Sequence, residues 1–149
     1  MVSVEFTKHV ACPWGPAAVQ RVIATAARRT KTRRAVVSVS VIGPAAMTKL
    51  NKTWRGVRQV TDVLSFPNQI KGFITPSSTP PDLGDVVICY AQIVRQAKEY
   101  QRSPRYEFSL MLVHGWLHLL GYDHEQSVAA ETKMNRLQDT IMKDLRFVK

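Results

Sequence analysis

Residues 108–120, FSLMLVHGWLHLL, are apolar around the whole circumference of any helix drawn through them. A helix with no polar face must be covered by protein or by lipid. A bilayer needs roughly 20 apolar residues, so this stretch is too short to span one and is expected inside a globular core. The rest of the chain then has to wrap around it. It also carries His114 and His118, and His124 follows closely, so three of the four histidines in 149 residues fall within eleven positions. Histidine is the commonest side-chain metal ligand.

The spacing is mechanically suited to one ion. His114 and His118 are four residues apart, so on a helix they share one face, about 40° apart in azimuth with one turn of rise between them. Gly121 can adopt the left-handed conformation that ends a helix and turns the chain back, bringing His124 to the same ion. Burying two histidines on one face without a ligand would instead demand two separate hydrogen-bonding networks. Three imidazoles on an ion that prefers four ligands leave a position for water, the mark of a catalytic site. The expected reaction class is metal-assisted hydrolysis, with zinc the first candidate; nickel, copper and iron also suit imidazole ligands.

The elements around this helix form one domain, residues 1–149. Val2, Val4 and Phe6 alternate with polar neighbours as a strand, and Pro16 opens a helix to about residue 30 with Val19, Val22, Ile23 and Ala26 on one face. Residues 35–42 (AVVSVSVI) are a β-branched strand. A short helix runs from about 45 to 52, ending near Trp54-Arg55-Gly56, and residues 61–67 (TDVLSFP) form a strand closed by proline. Residues 68–82 read as a loop with a brief strand at 72–74; residues 83–89 (LGDVVIC) read as a strand central in the sheet. Helices are expected from about 90 to 101, burying Val94 and Ala97, from Ser103-Pro104 through the histidines, and from 128 to 147 with Met134, Leu137, Ile141 and Leu145 on its apolar face. The fold class is therefore α/β (α+β): a small mixed sheet of about four strands packed with about five helices, the metal site at the end of the buried central helix. Met134 either floors that site or is plain core.

The formal net charge of +10 favours polyanionic partners, nucleic acids or anionic membrane surfaces, unless it serves only solubility. Arg28, Arg29, Lys31, Arg33 and Arg34 place five cations in seven residues, either a solvated helix end or a phosphate-contacting patch. Cys12 and Cys89, 77 residues apart, belong to no CxxC pair and read as packing residues in a reducing compartment. The first ten residues lack a basic segment followed by an apolar one, so a soluble, cytoplasmic protein with no membrane partner is expected.

The order His-x3-His-x2-Gly-x2-His matches the zinc-protease pattern H-E-x-x-H-x-x-G-x-x-H except at one position. Where those enzymes carry the general-base glutamate, this chain has Gly115. Losing such a base removes typically 10²–10⁴-fold of rate, which argues against a peptidase.

Taken with residues 61–67 and 83–89 and with Leu50-Asn51-Lys52-Thr53-Trp54-Arg55, the segment HGWLHLLGYDH strongly resembles the YbeY family of bacterial endoribonucleases. The matching blocks span about residues 47–142 in order and spacing; residues 1–34 match only in character, and the loop at 68–82 is not diagnostic. Trp54 stands where a tyrosine is common in that family, and Trp116 where a smaller residue is common. The resemblance implies a metal-dependent single-strand endoribonuclease in 16S rRNA 3′-end processing and ribosome quality control. Its three metal-binding histidines map onto His114, His118 and His124, and its functionally important arginine onto Arg55. The implied substrate is rRNA precursor on the small ribosomal subunit.

The residues themselves are compatible with that. A guanidinium at Arg55, in a short loop after a helix, can clamp a phosphate bidentately, although a plain surface arginine beside Lys52 and Arg58 fits the same sequence. Asp62 and Asp85 either orient a ligand histidine or cap backbone turns, the structural role being preferred. Two other readings stand beside the nuclease: a metzincin-like zinc metalloprotease, and a non-catalytic ribosome-assembly factor braced by zinc.

Overall fold

A computed structural model describes residues 1–68 and 79–147. In chain order the elements are β1 (Val2–Lys8), α1 (Pro16–Arg29), β2 (Ala35–Ile42), α2 (Pro44–Arg55), β3 (Val63–Pro67), β4 (Asp82–Cys89), α3 (Tyr90–Glu99), α4 (Pro104–Leu119) and α5 (Val128–Asp144). The four strands form one mixed sheet in the order β1-β2-β4-β3. β1, β2 and β4 run parallel, and β3 lies antiparallel against β4 at the edge. The apolar β4 is internal, as expected, and Pro67 sits where a strand tolerates proline, on an edge. The brief strand expected at residues 72–74 lies outside the described residues. Among the described residues, no helix is long and apolar enough to cross a membrane.

Strand alternation divides the core between the two faces of the sheet. Val37, Val39 and Val41 of β2, with Val86 and Ile88 of β4, point into the larger cluster with α1, α4 and α5. Leu64, Val87 and Cys89 point the other way, against Met47 of α2. Both cysteines are free, and burial pushes the Cys89 thiol up, in keeping with a packing role. The four residues expected on the buried face of α1 are buried, and Thr25 and Ala27 join them. On α3 the structure buries Ile93 and Ala97 and leaves Val94 39% exposed, because the helix is rotated by one position relative to the expected face.

Helix α4 is the buried axis. Ser103 caps it, its hydroxyl accepting from the Tyr106 N–H at 3.1 Å, and Pro104 occupies the first turn, where its missing N–H costs nothing. From Glu107 to Leu119 every residue is buried except Met111, His114 and His118, a stripe at i, i+3 and i+7. Trp116, fully buried, ties α4 to the end of α1 by donating its indole N–H to Thr30 Oγ1 at 3.2 Å. The adjoining side, about 100° round the helix, lies on the sheet at Gly115. A Cβ there would stand 2.6 Å from Val86 Cγ1 and 3.3 Å from Ser65 Oγ, and the Ser65 hydroxyl donates to the Gly115 carbonyl at 3.3 Å.

The missing glutamate thus has a steric cause: position 115 faces β4, and any side chain there would enter the sheet. Gly115→Ala should lower unfolding free energy by about 1–2 kcal/mol in urea titration, overpacking outweighing the gain of up to about 1 kcal/mol in helix propensity. A variant more stable than the parent protein would contradict this close approach.

Candidate metal centre

The site is assembled by the end of α4 and the turn after it. Gly121 takes φ 95°, and the helix closes with paired bonds from Gly121 N–H to His118 O (3.0 Å) and from Tyr122 N–H to Leu117 O (3.1 Å). These are the two bonds of a Schellman end, which reverses the chain. Asp123 Oδ1 accepts the Glu125 N–H at 2.9 Å and so shapes the turn that carries His124 back toward the helix.

The three expected histidines meet. Ring centroids are 4.5 Å apart for His114 and His118, 5.5 Å for His114 and His124, and 5.4 Å for His118 and His124. One ring nitrogen from each lies within 4.8 Å of the other two, so the group could hold a metal ion. His114 Nδ1 lies 3.2 Å from Gln138 Oε1. A carboxamide oxygen only accepts, so Nδ1 carries the hydrogen and Nε2 keeps its lone pair. That lone pair faces His118 Nε2 at 3.0 Å. His124 Nδ1 is buried and has no hydrogen-bond partner among the described residues, an arrangement that costs free energy until a ligand satisfies it. The donor set therefore fits a cation that takes neutral imidazoles.

Gln138 was not anticipated, although the sequence carries a signal for it. It is four residues after Met134 and three before Ile141, so it is a polar residue on the buried face of α5. Such partners hold a ligating imidazole in the correct tautomer and orientation. Met134, 1% exposed, belongs to the core cluster.

A cavity of about 540 Å³ opens in front of the histidines. Its walls include Trp54 and Arg55 from the end of α2, Asp62 and residues of β3, and Asp123 and Glu125 from the turn. Arg55 is the last residue of α2 rather than part of a following loop. Gly56 caps the helix in the left-handed conformation, its N–H bonded to Lys52 O, and so carries the helix one turn further than expected. Asp62 is held rigidly: Oδ1 accepts from the Val63 N–H (2.8 Å) and the Thr61 hydroxyl (3.2 Å), and Oδ2 from Gln96 Nε2 (3.1 Å). Gln96 leads on to buried Glu107, which Arg102 pairs at 3.2 Å. Asp85 lies elsewhere, exposed on the α2 side of the sheet, where burial and the nearby Asp82 and Glu5 raise its pKa. The cations at 28–34 do not line this cavity; Arg29 is paired with Asp144.

Burial lowers the pKa of both His114 and His118 below 6.5, assisted by the other histidines; Gln138 and Asp62 oppose this at His114, and Asp123 and Glu125 at His118. Both rings are therefore neutral at pH 7, the ligating form. In the metal-free protein the unfolded chain takes up these protons before the fold does, so stability should decline as pH falls below about 6.5. Thermal melting from pH 7.5 to 5 measures this. Replacing His114 and His118 together by Gln should flatten that slope, and an unchanged slope would contradict the assignment.

Comparisons with known proteins bear on the family and, separately, on the fold. The family model described as Endoribonuclease YbeY matches residues 14–146. Relatives named Endoribonuclease YbeY include one from Roseiflexus castenholzii, 35% identical over 95% of this chain and 91% of its own length. Another, from Moorella thermoacetica, is 42% identical over 80% of this chain and 78% of its own. In fold, a solution structure of a Thermotoga maritima protein superposes with a TM-score of 0.63 at 21% identity, over 96% of this chain and 91% of that one. With its trihistidine cluster at the end of a buried helix, this chain belongs to the endoribonuclease YbeY family.

Proposed function

We propose that this chain is a metal-dependent endoribonuclease that cuts single-stranded RNA in the cytoplasm, acting in 16S rRNA 3′-end maturation and ribosome quality control. His114, His118 and His124 hold one divalent ion, zinc, and Arg55 is the catalytic residue that contacts the scissile phosphate. The observation that carries this reading is the shared cavity: three convergent ring nitrogens and a guanidinium line one wall system in a member of an endoribonuclease family.

When bound, an ion on three neutral imidazoles would supply Lewis acidity toward phosphate oxygen and would lower the pKa of a bound water far below that of bulk water, toward about 7. The chain does the rest. Arg55 forks onto two phosphate oxygens and offsets the charge that builds as the P–O bond breaks. Gln138 fixes the tautomer of His114. Asp62, its oxygens already engaged, holds the start of β3 as a wall of the cavity. The excess of 21 Lys and Arg over 11 Asp and Glu draws in rRNA precursor without reading its sequence.

The two other readings explain less. A peptidase needs a base where Gly115 has room for none. A zinc-braced assembly factor leaves the open cavity and the guanidinium at its wall without a task.

Chelation should abolish cleavage of single-stranded RNA, and zinc should restore it. Arg55→Glu and His118→Ala should each lose at least about 10²-fold of activity, with metal-free melting near that of the parent protein. Gln138→Ala should weaken zinc affinity by about 10–100-fold. Cleavage that persists in both the Arg55 and His118 variants would come from a contaminant and would return the chain to the assembly-factor reading.

A further inference from the structure

Trp54 is 67% exposed, an unusual state for so large an apolar surface, and it lies on the wall of the histidine cavity. It is also held in place. The Phe66 ring, itself packed in the smaller core cluster, meets it edge-to-face at 5.8 Å and 65°. The end of α2 sets its backbone, and Arg55 follows it directly. Lys52, Arg55 and Arg58 surround it in the sequence, all exposed. A solvent-facing indole braced by Phe66, flanked in sequence by cations and sharing a cavity wall with Arg55, has the composition of a single-stranded nucleic-acid platform. The exposed cations Lys52, Arg55 and Arg58 beside it favour a polyanionic partner.

Resting on the endoribonuclease reading, we infer that Trp54 stacks one unpaired nucleobase of the RNA, beside the phosphate that Arg55 contacts. The cavity, about 540 Å³, falls within the roughly 300–1,000 Å³ range of small-molecule sites and accommodates one nucleotide. A base inside a duplex has both faces covered by its neighbours and cannot reach the indole. The residue therefore selects for unpaired RNA at the cut by stacking, independently of base identity. It is a substrate-positioning residue; the bond-breaking chemistry belongs to the histidines and Arg55.

The other two tryptophans, Trp14 and Trp116, are 8% and 0% exposed, so quenching of intrinsic fluorescence by a ligand reports on Trp54. Chelator-treated protein titrated with single-stranded oligoadenylate should be quenched. An abasic sugar–phosphate oligomer of equal length should bind without quenching. In cleavage assays Trp54→Ala should raise KM for single-stranded RNA by about 5- to 150-fold, and Trp54→Phe should recover most of that loss. Equal quenching by base-bearing and abasic oligomers, or a KM for Trp54→Ala within about twofold of the parent protein, overturns the inference while leaving the nuclease standing. Base-dependent quenching in a protein that cleaves no RNA overturns the nuclease reading and leaves the stacking site.

Discussion

The contact on which the site depends is the approach of α4 to the sheet at Gly115, where nothing larger than hydrogen fits between the helix backbone and Val86. That contact sets the rotation of the helix about its axis. With Gly115 against β4 and Trp116 directed to Thr30 of the neighbouring chain segment, the side left uncovered is the stripe through His114 and His118. A rotation of one residue would bring either His114 or Trp116 to the place of Gly115, where Val86 leaves no room for a side chain. Close packing admits no intermediate rotation, so the core fixes which way the helix presents the two imidazoles, and Gln138 then orients the ring of His114.

The second determinant is electrostatic. Burial disfavours the charged form of His114 and His118, whose Nε2 atoms face one another at 3.0 Å, and the His124 ring centroid lies within 5.5 Å of both, so ring nitrogens of all three converge where one cation could join them. The carboxylates nearby, Asp62 and Asp123, are engaged by backbone N–H groups and by Gln96. A cation held by the three imidazoles would receive no charge from its ligands, and the Asp62, Asp123 and Glu125 carboxylates along the cavity would offset only part of its charge. Such a centre suits an anionic substrate better than a neutral peptide, and the overall basic charge acts in the same direction at longer range.

How much of this was legible in the sequence follows from the range of each interaction. The histidine spacing, the Gly121 turn and the serine and proline at the start of α4 are local, and their geometry follows from helix periodicity alone. The central place of β4 was readable from its continuous apolar run. The polar partner of His114 was not, because Gln138 arrives on a helix 24 residues later and only tertiary packing brings it there. The one-position error on α3, Ile93 for Val94, arose because adjacent β-branched residues are equally apolar and only the neighbouring elements choose between them. Arg55 was placed correctly near a helix end, yet the left-handed cap at Gly56 that keeps it helical depends on φ, which sequence leaves open. Both even readings of the cations at 28–34 were local, whereas Asp144, which engages Arg29, is 115 residues away.

The central claim is that three imidazoles converge on one ion. Anomalous diffraction from crystals grown with zinc, collected on both sides of its absorption edge, tests it most directly. The account predicts a single strong peak per chain, bonded to one ring nitrogen each from His114, His118 and His124 at about 2.0–2.1 Å. A structure with the three rings hydrogen-bonded to protein groups and no peak among them, or with the ion bound elsewhere, would contradict it.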